Sequence, residues 1–362
     1  MKTQRPLLLL AFAIAVLLAH PACNGFFVDD VTDEGQFVFV ANNNGGTPGS
    51  VSGFLIDEFN GSLSQLTGSP FAAGTGPVDL DADADGTLLY VANQGGTISG
   101  FAIDANTGAL TQVTGSPFSV TAPVSIAVDP AGRFVYILGA AGDVSPRRIN
   151  SAGTLEIAGT GSQAGSSPQE VRVAPSGALV YVAGGDTGTF VFTVNSTDGS
   201  LTHTQTVIPA TSGFHSDVVM EPQGEFAYVL DFANDRVHAY TVDSPNGQLA
   251  EITGSPFETG DGPVAVAADP TGQFIYVVNR TSGDVSAYSI GNDGALTAIA
   301  NSPFDAGTSP SSLAVDPSGS FLYVGNDGSN NLSIFQIGSS GALSSLGTRS
   351  TGTDPVAVVA VP

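Results

Sequence analysis

Val264-Ala265-Val266-Ala267-Ala268-Asp269-Pro270-Thr271-Gly272-Gln273-Phe274-Ile275-Tyr276-Val277-Val278-Asn279 is the stretch that decides the fold. The apolar run Val264–Ala268, rich in small residues, suits a strand packed on both faces. Asp269-Pro270-Thr271-Gly272 then reads as a tight turn: proline fixes φ, aspartate can bond nearby backbone, and glycine accepts positive φ. Phe274–Asn279 is a second strand, with Ile275 and Val277 alternating against Phe274 and Tyr276. Val285–Ile290 follows as a third, and Asn292-Asp293-Gly294 turns the chain into a fourth around Ala295–Ile299. Four antiparallel strands make one unit of a radially repeated all-β architecture.

The unit recurs. Its turn glycine reappears as Gly35, Gly86, Gly132, Gly177, Gly224, Gly272 and Gly319, spaced 45 to 51 residues apart. That period with strand-like content predicts a β-propeller. Inner strands starting at Val78, Val124, Gln169, Ser216, Val264, Ser311 and Val356 count seven blades. The ends do not match each other. Residues 24–35 make a poor inner strand, with Asp29, Asp30, Asp33 and Glu34, whereas Pro355–Pro362 is an inner strand with nothing after it. The expectation is a ring over residues 36–362, closed by the C-terminal strand joining Phe37–Ala41, which removes the free edges. Ser-Pro-Phe at residues 69–71, 116–118, 255–257 and 302–304 is expected to end each outermost strand, its proline blocking edge pairing.

Residues 1–23 stand apart. Lys2 and Arg5 precede the apolar run Leu7–Ala19 and then small residues, the layout of an export signal, too short to span a bilayer comfortably. The single cysteine, Cys23, permits no intramolecular disulfide. It resembles the lipid acceptor of bacterial lipoproteins, with ordinary cleavage nearby as the alternative. Residues 24–35 read as a linker. Losing Lys2 and Arg5 leaves seven arginines against 33 carboxylates. Such a surface repels nucleic acid and anionic membranes, and it lacks the cations a heavily phosphorylated ligand would want. The expected partner is a small molecule or surface protein, with membrane contact only through a lipid anchor, and the expected state is a monomer.

Leu89-Tyr90-Val91-Ala92-Asn93, Ile275-Tyr276-Val277-Val278-Asn279 and Leu322-Tyr323-Val324-Gly325-Asn326 look like Tyr-Val-Thr-Asn propeller repeats. With the Asp-Pro-x-Gly turns and Ser-Pro-Phe endings, the chain resembles the seven-bladed lactonase family of 6-phosphogluconolactonase-like and carboxymuconate-cyclase-like proteins. The resemblance implies a His, an Arg and a Glu on adjacent blades at one mouth of the channel. Asp231-Phe232-Ala233-Asn234-Asp235-Arg236-Val237 is similar to the family's Asp-Leu-Gly-x-Asp-Arg-Val, and His215 stands one residue early for the family's histidine, so its transfer needs a bulge. Val264 occupies the expected arginine's place and Arg280 stands about where the acid belongs.

From the residues themselves, His215, Asp235, Arg236 and Arg280 are expected in loops at one mouth, where a histidine could activate water and an arginine polarise a lactone carbonyl. The competing reading is an exposed loop histidine and a surface ion pair. Arg172 aligns with Asp81 of another inner strand, and with Asp231 these are the candidate ligand-binding residues. Asp81-x-Asp83-x-Asp85-Gly86 resembles the start of a calcium loop, but the twelfth position is Ala92, so a capped turn is expected and no cofactor. Val144-Ser145-Pro146-Arg147-Arg148 breaks the third-strand pattern and reads as a degenerate blade. Phosphate loops, serine elbows and zinc spacings are absent from the sequence. With two of three family groups replaced, the reading is an exported binding or scaffold module, with sugar-acid lactone hydrolysis as the alternative.

Overall fold

The computed structural model describes residues 35–208 and 213–362. The segments read as an export signal and, up to residue 34, a linker, together with Cys23, lie outside the described residues. The described chain is all-β, with seven antiparallel four-stranded sheets in a ring. Blade 6 is typical: Pro263–Ala268 lies innermost, then Phe274–Asn279, Asp284–Ile290 and Leu296–Ala298. Blade 1 is composite. The C-terminal strand Pro355–Val361 pairs with Phe37–Asn42, placing Phe37 opposite Val361.

Apolar packing closes the circle. The seven core clusters lie one between each neighbouring pair of blades, and the last joins Phe321, Tyr323 and Leu332 of blade 7 to Val38, Val40 and Phe54 of blade 1. Each second strand puts one large aromatic there: Phe39 in blade 1, then Tyr90, Tyr136, Tyr181, Tyr228, Tyr276 and Tyr323, all 0% exposed. Five of these tyrosines donate their hydroxyl to a glycine carbonyl in the next blade's outer turn. Tyr90 reaches Gly153 at 2.8 Å and Tyr323 reaches Gly61 at 3.2 Å, across the closure. Tyr181, Tyr228 and Tyr276 do the same to Gly247, Gly294 and Gly341. Tyr136 has no such partner.

The Ser-Pro-Phe segments do not simply end an outermost strand. They split it: in four blades a short fifth strand such as Phe304–Asp305 also pairs with the third strand, and in blade 3 Ser162–Gln163 does so without the motif. The serine hydroxyl fills the gap, Ser302 Oγ accepting from the Ala287 N–H at 2.9 Å. Turn carboxylates cap the turns as their chemistry predicts, Asp269 accepting from the N–H groups of Gln273 and Phe274 at 2.8 and 2.7 Å. Asp83 does likewise for Thr87 and Leu88 at 2.8 and 2.7 Å, so within the Asp81–Gly86 run it is a turn cap.

A bulge after the first residue of the inner strand recurs in six blades; in blade 6 it falls between Pro263 and Ala265. Blade 4, starting at Glu170, lacks it.

Candidate functional site in the central channel

Two layers of side chains ring the axis. Opposite the buried second-strand aromatics stand Val359, Asp81, Ala127, Arg172, Val219, Ala267 and Ala314. One step toward the strand starts stand Ala357, Asp79, Ser125, Glu170, Asp217, Ala265 and Ser312. All the charge is on blades 2, 4 and 5, while blades 6, 7 and 1 offer alanine, valine and serine. Between them lies a cavity of about 500 Å³, lined by Asp79, Asp81, Glu170, Arg172 and Asp217 on its charged side.

Arg172 is the centre of this group. Its guanidinium lies 3.1 Å from Glu170 Oε1 and 3.3 Å from Asp217 Oδ1, and 35% of its side chain stays open to the channel. The carboxylates are anchored on the blade ahead. Asp79 Oδ2 accepts from Ser125 Oγ at 2.9 Å and the Ile126 N–H at 2.8 Å, Asp81 Oδ2 from Val128 N–H at 2.8 Å, and Asp217 Oδ2 from Val266 N–H at 3.0 Å. They therefore stitch inner strands together while presenting charge to the channel.

Burial raises the Asp81 carboxyl to about 6, against the opposing pull of its backbone hydrogen bonds and Arg172. Burial likewise raises Asp79, and it raises Glu170 well above the usual carboxylate range despite Arg172 beside it. For Arg172, burial works against the charge, but Asp217, Glu170, Asp79 and Asp81 more than offset it and hold the guanidinium ionised. One cation thus faces four carboxyl groups, and Asp81 is a base of near-neutral strength exposed to the cavity.

The residues expected at the mouth stand differently. His215 is not in a loop. It opens the inner strand His215–Met220 of blade 5, at the position filled by proline in blades 1, 2, 3, 6 and 7, and it is 0% exposed. The bulge its transfer required is present, between His215 and Val218. Its Nδ1 lies 2.7 Å from Thr189 Oγ1, its Nε2 has no hydrogen-bond partner among the described residues, and burial lowers its pKa to about 4, with His238 nearby adding to the shift. The ring is buried beside Thr189 of the preceding blade.

Arg236 begins the third strand, outside the loop expected for it, and pairs with Glu258 at 3.1 Å. Arg280 does lie in the loop after Asn279, paired with Asp327 of the next blade at 2.6 Å. Asp235 Oδ1 accepts from the Gly262 N–H at 2.7 Å. Asp231, 2% exposed, accepts from the Ala233 N–H in its own turn and from the Phe214 N–H at the entry to the inner strand, so its oxygens serve the fold. The side chains of the four nominated catalytic residues are engaged with Thr189, Gly262, Glu258 and Asp327 respectively, and Gly262 links two of them, its N–H donating to Asp235 and its carbonyl accepting from the Arg280 N–H at 2.8 Å. Of the candidate ligand-binding residues, Arg172 and Asp81 line the cavity and Asp231 does not.

Glu170 and Asp217 were missed in the sequence. Their signal was the layer register, since counting back from the turn puts both at the position of Asp79. Among the described residues, no group of three or more histidine, cysteine, aspartate or glutamate side chains is placed to hold a metal.

The family model for the lactonase seven-bladed β-propeller matches residues 30–128 and again 95–359. No curated protein matches the chain. Among solved structures it is similar to a 6-phosphogluconolactonase candidate from Bacteroides uniformis, at 19% identity and TM-score 0.78, covering 91% of this chain and 100% of that one. A second such candidate, from Bacteroides fragilis, shares 22% identity at TM-score 0.76, covering 92% and 99%. The periplasmic gluconolactonase of Pseudomonas aeruginosa shares 20% identity at TM-score 0.75, covering 91% and 99%. At these identities the solved structures speak for the fold alone. Taken with the family match over almost the whole described ring, they mean that this chain belongs to the seven-bladed β-propeller lactonase family.

Proposed function

We propose that the chain hydrolyses an unphosphorylated sugar-acid lactone in its central channel. The observation that carries this reading is Arg172, partly open in a cavity of about 500 Å³ beside the near-neutral base Asp81. That volume suits a small-molecule ligand. Asp81, ionised above about pH 6, takes a proton from a water molecule as that water's oxygen bonds to the lactone carbonyl carbon. Arg172 donates to the carbonyl oxygen as charge develops on it. The ring C–O bond then breaks, and the departing oxygen takes up the proton Asp81 holds.

Electrostatics supports an uncharged substrate. The lactone enters neutral and leaves as a carboxylate, which the acids around Arg172 repel. A phosphorylated lactone would meet that repulsion on entry. The test is the rate of glucono-1,5-lactone hydrolysis above its spontaneous background, followed against pH for the wild type and Asp81→Asn. The expected rate climbs as pH rises through about 6, and the variant loses that limb. Equal rates in both proteins would remove Asp81 from the chemistry.

A second reading, a binding module, is favoured by the hydrogen bonds that Asp79, Asp81 and Asp217 give over to the next blade. In either case we propose export, with lipid on Cys23. Metabolic labelling with a fatty acid, lost in Cys23→Ser, tests the anchor.

A further inference from the structure

Blade 3 departs from the repeat twice in one place. Third strands elsewhere carry Phe54, Phe101, Tyr240, Tyr288 or Phe335, each 4% exposed or less, where Asp143–Ile149 carries Arg147. Phe101 stands opposite Leu89 and Arg147 opposite Val135, so the guanidinium takes the place of an inter-blade ring. The second departure is Gly139, which ends a second strand where blades 1, 2, 6 and 7 have Asn42, Asn93, Asn279 and Asn326. Such an asparagine serves the start of the third strand, as Asn279 Nδ2 does by donating to Asp284 at 2.6 Å. Asp143, the counterpart of Asp284, has glycine there and, among the described residues, only a long 3.5 Å contact from Ser145 Oγ.

The two losses border one cavity of about 280 Å³, lined by Ser119, Thr121, Asp143, Ser145 and Arg147 among others. Arg147 donates to the Pro146 carbonyl at 3.1 Å, and among the described residues no carboxylate lies within 4 Å of it. In a chain with 33 carboxylates, an arginine left without one and facing a polar cavity marks a place for a ligand's anion. Asp143 sits in the same cavity and would repel a bare anion, while Arg147 would repel a bare amine. A molecule bearing both charges satisfies both walls.

We propose that this gap between blades 2 and 3 binds a small zwitterion of the α-amino acid class, its carboxylate on Arg147 and its ammonium on Asp143. The site is separate from the channel and does not depend on lactone hydrolysis. Calorimetric titration of the full chain with glycine and with L-alanine tests it, beside acetate and ethylammonium as single-charge probes. Arg147→Phe restores the ring the other blades use, so the fold should keep its melting temperature. The expected results are binding of both amino acids, at least tenfold weaker binding in Arg147→Phe, and weaker glycine but undiminished acetate binding in Asp143→Asn. Acetate binding as tightly as glycine, glycine binding that survives Arg147→Phe, or no heat from either amino acid would overturn the proposal.

Discussion

Tyr323→Phe and Tyr136→Phe are the same chemical change at equivalent positions of two blades, and the structure predicts opposite outcomes. Tyr323 hands its hydroxyl to the Gly61 carbonyl at 3.2 Å, from the last blade to the first. Removing it strands a buried carbonyl and costs about 1–2 kcal/mol. Tyr136, just as buried, has a hydroxyl with no hydrogen-bond partner among the described residues. Deleting that oxygen relieves a desolvated polar group, so the change should be neutral or stabilising by up to about 1 kcal/mol. For a ring of this size, 1 kcal/mol moves the melting temperature by roughly 2 °C. Thermal and urea melts of the two variants should therefore shift in different directions, with Tyr323→Phe lower by roughly 2–4 °C. Equal losses in both would refute the reasoning, because the substitutions differ only in whether the hydroxyl is bonded.

Gly61 has φ +69°, and a Cβ there would stand 2.3 Å from Phe321 across the closure, so Gly61→Ala should cost more than about 2 kcal/mol in a urea melt. His215 is held neutral down to about pH 4 from an ordinary 6.5. Protons bind the unfolded chain first, so its contribution is complete above pH 6.5 and lost as pH falls toward 4, by about 3 kcal/mol. Stability measured across that window should lose part of its acid slope in His215→Asn, and an unchanged slope would contradict the buried placement. In the channel, Asp81→Asn should abolish the rise of lactone hydrolysis through about pH 6, read by pH-stat titration.

The ring was legible because its signals are local. Asp-Pro-x-Gly turns and Tyr-Val-x-Asn runs are set by nearby backbone chemistry, and the mismatch between residues 24–35 and Pro355–Pro362 left one way to close the circle. Arg172 and Asp81 were found together because counting back from the turn holds in both blades. The start of the inner strand was harder. Its bulge is a register event with no fixed residue code, so His215 looked like a loop residue although it fills the place proline takes in five other blades. Glu170 and Asp217 each stand two residues before the layer of Asp81 and Arg172, as Asp79 does, and only the assembled ring brings both onto Arg172 from two blades. The partners of Arg236 and Arg280 are residues 22 and 47 positions away, and only the assembled blades bring them close.

Hydrolysis of glucono-1,5-lactone and of its 6-phosphate by the wild type and by Arg172→Lys, at matched concentration, bears most directly on the channel as a reaction site. Lysine keeps the charge that Glu170 and Asp217 require but loses the forked donor. The expected outcome is faster turnover of the unphosphorylated lactone and a loss of roughly 10²-fold on substitution. Preference for the phosphorylated lactone, or an Arg172→Lys rate equal to the wild type's, would contradict it.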